Sequence, residues 1–117
     1  MLQNFLEKFW KIGVFITMDS SWKKFLHTVL QDDFDKLISN YFVLRKMFQE
    51  KGVSNSQLEM GEGMTYDMYA QREKIINMIG HIKITLVKYG LTNDVGSVVE
   101  YILFKLKEVD DQTPLKD

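Results

Sequence analysis

Apolar residues recur at three- and four-residue steps through most of the chain, the spacing that lines up one face of an α-helix. Leu2, Phe5, Leu6, Phe9, Ile12 and Ile16 do so over residues 2 to 17, with Gly13 inside the stripe, where it lets a neighbour pack closely. Trp22, Phe25, Leu26, Val29 and Leu30 share a second face, which Asp19 or Ser20 can cap. Residues 33 to 51 carry a third stripe of Phe34, Leu37, Ile38, Tyr41, Leu44 and Phe48. Phe42, Val43 and Met47 fall outside that stripe, so YFVLRKMF is apolar nearly all round and is expected at the centre of a bundle or under another chain.

Gly52 ends this helix, and GVSNSQLEMGEGMT is expected as an exposed loop over about 52 to 64. Its Leu58, Met60 and Met64 either tuck back onto the bundle or form an adaptable contact loop, since methionine's flexible thioether tolerates varied surfaces. Thr65 can cap a long helix with Met68, Arg72, Ile75, Ile76, Ile79, Ile82 and Leu86 turned inward. In KYGLTNDVG, a left-handed Gly90 places Leu91 against Leu86, the hydrophobic contact of a Schellman stop, and Thr92 can cap the next helix. Gly52, Val53 and Phe48 repeat the arrangement, so the turn reads as architecture. The last helix, roughly 93 to 109, has Val95, Val98, Val99, Ile102, Leu103, Leu106 and Val109 on its inner face. Phe104 projects almost opposite them, and DDQTPLKD reads as a frayed tail from about residue 110.

These stripes predict an all-α fold, a compact bundle of four or five amphipathic helices forming a single helical domain over residues 1 to 117. Composition agrees, since 45% hydrophobic residues with one proline suit a packed domain rather than a disordered chain. A formal net charge of -1 supplies no field toward nucleic acid or anionic lipid, though a local basic patch remains compatible with it. With no cysteine there is no disulfide, thiolate metal site or cysteine nucleophile in the chain, and a reducing, cytoplasmic setting is expected. The most apolar window, FWKIGVFITM, is interrupted by Lys11 and far shorter than the roughly 20 residues a membrane span needs. Glu7 and Lys8 interrupt the amino-terminal run, which does not read as a secretory signal.

Candidate chemistry is thin. His27 and His81 are not spaced as metal ligands, and GEG at 61 to 63 has neither the spacing nor the preceding strand of a phosphate-binding loop. Asp32, Asp33 and Asp35 suit a helix amino terminus, and they lack the later glutamate of a calcium loop. Glu59 and Glu62 sit in the expected loop and do not read as a catalytic acid pair. Neither a metal nor a cofactor is expected, and the chain does not read as an enzyme.

Three stretches carry local resemblances. His81 falls on a polar helix side with Asn77 and Lys88 and resembles the phosphorylated histidine of histidine phosphotransfer domains. Where that family has a lysine and then a very small residue, this chain has Ile84 and Thr85, while Lys83 comes one place early and is expected to turn toward the core. VKYGLTNDVGSVVEYILFKL resembles the helix-turn-helix portion of ribbon-helix-helix repressors, which implies an intertwined DNA-binding dimer. Their basic reading strand has no counterpart, since a helical pattern precedes the pair. SSWKKFLHTVLQDDFDKL is similar to the helical lead-in of uracil-DNA glycosylases. The Gly-Gln-Asp-Pro-Tyr and His-Pro-Ser segments of that family are absent, so neither function nor residues transfer.

The sequence therefore points to a small protein-binding module of the regulator, inhibitor, immunity or adaptor kind, acting on a protein partner or by self-association, with no membrane role. Candidate contact residues are Phe42, Val43, Met47, Met60, Met64, His81, Ile84 and Phe104. The alternative is a dimeric DNA-binding transcriptional regulator. The chain's small size suits a phage or mobile-element protein.

Overall fold

The computed structural model describes residues 21–117, so the stripe from Leu2 to Ile16, Gly13 and the expected caps Asp19 and Ser20 lie outside the described residues. The fold is all-α. Helix α1 spans Ser21–Thr28, α2 Gln31–Lys51, α3 Asn55–Glu59, α4 Tyr66–Lys88 and α5 Val95–Gln112, with a 3-10 turn at Thr92–Asp94 leading into α5. Helix α2 packs against α1, α4 and α5 and is the central element, but Phe42 and Val43 stay exposed, so its apolar stretch is not covered all round.

Side-chain pairs fix the directions. Phe34 stacks on Tyr101, Tyr41 meets Asp110 and Arg45 meets Thr113, so α2 and α5 run parallel. Helix α4 returns along both, held to α2 by Gln71 Nε2, which donates to the carbonyl oxygen and Oδ1 of Asn40 at 2.9 and 3.0 Å. The core between them contains Leu26, Leu30, Phe34, Leu37, Leu44, Phe48, Met68, Ile75, Ile82, Leu86, Val98, Ile102 and Leu106. Full burial of each such aliphatic side chain contributes about 1.5–3 kcal/mol.

Each boundary has a local cause. The chain breaks at Val29 and Leu30, where the Leu30 amide reaches back to the carbonyl oxygen of Phe25 and α2 restarts at Gln31 with Asp32 and Asp33 favouring its amino-terminal dipole. Leu26 and Leu30 are buried on either side of this bend, whereas Val29 is exposed. Helix α2 ends at Gly52, φ 68°, with Gly52 N–H bonded to Gln49 O and Val53 N–H to Phe48 O. Helix α4 ends the same way at Gly90, φ 80°, through Gly90 N–H to Val87 O and Leu91 N–H to Leu86 O. Both are Schellman stops, and in each the apolar pair joins or packs on the core. Thr65 caps α4 by accepting from the Met68 amide at 3.3 Å, and the Met68 sulfur accepts from the Thr65 amide in return.

Several expectations need correction. The 52–64 segment is not all loop, because Ser54 and Gln57 form a reciprocal capping box that starts the short helix α3. Thr92 does not cap α5, which instead begins through the 3-10 turn without a side-chain cap. Arg72, Ile76 and Leu103 are exposed, since α4 and α5 bury only narrow lines, Met68–Ile75–Ile82–Leu86 and Val98–Ile102–Leu106–Val109. Lys83 likewise faces outward.

The carboxyl-terminal segment is the largest difference. Instead of fraying at 110, α5 continues to Gln112 and the chain then folds back. Thr113 is fully buried, the Lys116 carbonyl accepts from the Asn55 amide at 2.7 Å, and Gln49 Nε2 donates to Pro114 O at 3.0 Å.

Candidate partner-binding surface

The eight candidate contact residues do not converge on one place. Met47 on α2 and Met64 and Leu58 in the 52–64 segment are half-buried against the core, while Met60 is the apolar side chain of that segment that stands out. Phe42 and Val43 are exposed on α2, with Lys46 Nζ 5.2 Å from the Phe42 ring centre. Phe104 is exposed on α5, its ring 6.0 Å from Lys105 Nζ. His81 is exposed on α4, and its backbone carbonyl accepts from the Thr85 hydroxyl at 2.8 Å.

Ile84 has companions that the sequence pattern had assigned elsewhere or passed over. At 100° per residue, Tyr69, Ile76, Gly80 and Val87 fall within about 40° of arc on α4, with Ile84 at their edge. This line is roughly a third of a turn from the buried one. Tyr69, Ile76, Ile84 and Val87 are all exposed, Ile84 at 69%. Gly80 sits in the middle of the stripe, and a Cβ added there would meet nothing within 4 Å. Arg72 and Lys83 border one edge of the stripe, Glu73 and Ile84 the other. Among the described residues neither Arg72 nor Lys83 makes an ion pair.

Ile76 was the obscuring residue. It follows Ile75 and fits a broad inner stripe, so one apolar line masked two. The signal that separates them is the seven- and four-residue spacing of Tyr69, Ile76, Gly80 and Val87.

A second cluster that sequence reasoning missed surrounds Tyr101. Its ring centre lies 5.9 Å from that of Trp22, 6.1 Å from His27 and 5.6 Å from Phe34, with Lys23 Nζ and Lys105 Nζ at 5.2 and 5.6 Å. Burial and then the Lys105 charge push the Lys23 ammonium below its ordinary pKa. Lys105 also reaches Glu108 at 3.6 Å. This is a packing junction of α1, α2 and α5 with cations over ring faces.

The third grouping is polar. Arg45 is buried and donates to Thr113, while its Nε lies 3.3 Å from an Asp110 oxygen that also accepts from the Tyr41 hydroxyl. Burial, then the bond to Asp110 and that carboxylate's charge, hold the Tyr41 phenol well above its ordinary range, against an opposing effect of Arg45. Tyr41, Arg45, Asp110 and Thr113 bond one another across α2 and the end of α5, which makes the group a clasp for the chain end.

No set of three or more His, Cys, Asp or Glu side chains converges as metal ligands would among the described residues. No described helix is long and apolar enough to cross a membrane. The described residues contain no β-strand, only a parallel bridge between Ser54 and Lys116, so the strand of a ribbon-helix-helix reader has no counterpart among them. Comparison with family models, curated proteins and solved structures found no match to the chain.

Proposed function

We propose that this chain is a small non-catalytic protein-binding module, of the regulator, inhibitor, immunity or adaptor kind, and that it works by laying the outer face of α4 against a partner. The observation that carries this reading is the stripe of exposed Tyr69, Ile76 and Val87 about the half-buried Gly80, with exposed Ile84 beside it. Apolar side chains lined up along several turns of one helix, rather than scattered, are the pattern of a helix awaiting a cover.

The test is paired capture from the native host, with the full chain as bait, against its Ile84→Asp and Ile76→Asp variants. A single protein held by the parent chain and lost by both variants, with helicity and thermal midpoint unchanged, supports the reading. Loss of capture that tracks unfolding, or equal capture by all three, counts against it. The alternative is a dimeric DNA-binding regulator, which the helix–turn–helix pair α4 and α5 keeps in view. It would give nuclease-sensitive complexes that weaken steeply with salt.

A further inference from the structure

We propose that the partner element seated on α4 is an amphipathic helix whose apolar stripe is bordered by acidic residues, and that Arg72 and Lys83 are the cations that meet them. The inference rests on reading the chain as a protein-binding module and names the chemistry of its partner. Arg72 and Lys83 lie on the same edge of the Tyr69–Ile76–Gly80–Val87 stripe, about 16 Å apart along the axis. Both are exposed and, among the described residues, unpaired in a chain whose net charge is -1. Acidic side chains at matching intervals would place opposite charge at both points, and basic ones would be repelled there.

Gly80 gives the occupant its shape. Glycine in the interior of a helix weakens it, because the unfolded chain gains freedom and no side chain packs. Here nothing in the described fold compensates, since there is no neighbour within 4 Å of the position its Cβ would take. With Ile76 one turn before it and Ile84 one turn after, Gly80 makes a dent into which a side chain of a crossing helix can drop. An apolar seam with a dent between cations suits a helix better than a phosphate backbone, whose charges would lie over Ile76 and Val87 and desolvate without a partner.

Two synthetic peptides test this on the full chain: a leucine-striped helix edged with glutamate along one side, and its twin with lysine at those positions. Titration calorimetry and backbone shift mapping should show the glutamate-edged peptide binding over residues 69–87, at least about tenfold more tightly than its twin. The double variant Arg72→Glu, Lys83→Glu should reverse that preference. Gly80→Ala should raise the thermal midpoint while weakening the glutamate-edged peptide about tenfold or more, a pairing that a purely structural glycine would not give.

Equal affinity for the twins, shifts centred away from α4, tighter binding to anionic phospholipid vesicles than to either peptide, or a second copy occupying the stripe in sedimentation would each overturn the proposal. If a captured protein depends on Ile84 but the twins bind alike, the acidic-helix inference fails while the binding-module reading stands. If the charge reversal succeeds and host capture yields nothing, the surface chemistry holds and the cellular role falls.

Discussion

Arg45 on α2 holds Thr113, the residue just past the end of α5, by two hydrogen bonds, Nε to Oγ1 at 3.1 Å and Nη2 to the carbonyl oxygen at 2.7 Å. The Thr113 hydroxyl in turn donates to Val109 O at 2.6 Å, so one guanidinium terminates a helix and docks the segment beyond it. Removing the guanidinium leaves buried acceptors unserved. Arg45→Met should therefore cost about 1.5–3 kcal/mol, the scale of a lost charged hydrogen bond at a buried site. The Asn55 amide, bonded to Lys116 O across the same junction, should exchange faster with solvent. A variant with unchanged denaturant midpoint and unchanged Asn55 protection would show that the clasp holds nothing.

Tyr41 gives the same clasp a pH signature. Its folded pKa is raised above the unfolded value, so the phenol contributes stability that is fully present below the unfolded pKa, about 10, and is lost as pH rises toward the folded pKa. Parent and Tyr41→Phe chains should therefore diverge in the pH dependence of stability above about pH 10, the parent falling more steeply. Parallel curves from pH 7 to 11, measured by denaturant midpoint, would remove Tyr41 from the account.

The inner face of α5 is narrower than its apolar pattern, and two adjacent residues separate the alternatives. Ile102 is fully buried and Leu103 is 56% exposed. Ile102→Ala should cost about 2–5 kcal/mol. Leu103→Ala should stay within about 0.5 kcal/mol, as surface changes do. Equal losses would mean that Leu103 is covered in solution.

The long helices and the stops at Gly52 and Gly90 were legible in the sequence because they depend on local chemistry, although the equally local capping box of Ser54 and Gln57 that starts α3 was passed over. Gly52 and Gly90 need a left-handed conformation, and Thr65 needs only the amides one turn ahead. What depends on neighbours was not legible. Whether Ile76 and Leu103 turn inward is decided by how many helices flank α4 and α5, a number that periodicity does not carry. Thr113 looked like tail because nothing within its own segment marks it, and the partner that buries it is Arg45, 68 residues earlier. Arg45 itself sat unremarked inside YFVLRKMF, where a buried arginine reads as a surface charge interrupting an apolar run.

Gly90 lies at φ 80° with no neighbour near the position of a Cβ, so a substitution there probes backbone strain with little steric interference. Gly90→Ala should cost about 1–2 kcal/mol, the left-handed penalty of a residue with a Cβ. Gly90→Val should cost more, because branching at Cβ narrows the choice further. Two variants as stable as the parent would argue that α4 does not stop at Lys88.

Phe104 and Ile84 decide which helix meets the partner. Both are exposed, at 53% and 69%, on different helices, so truncating either leaves the buried core untouched. Phe104→Ala and Ile84→Ala should each change folding stability by no more than about 0.5 kcal/mol. If the outer face of α4 is the contact surface, Ile84→Ala should weaken association by about 2 kcal/mol where the side chain is a central anchor, while Phe104→Ala should leave it within about 0.5 kcal/mol. The reverse result would move the surface to α5, where Leu103 supplies a second exposed apolar side chain next to Phe104. A loss in both would mean a partner broad enough to reach two helices. Measuring denaturant midpoint and partner affinity on the same two proteins separates these cases, because a folding defect would appear in the first quantity before it reached the second.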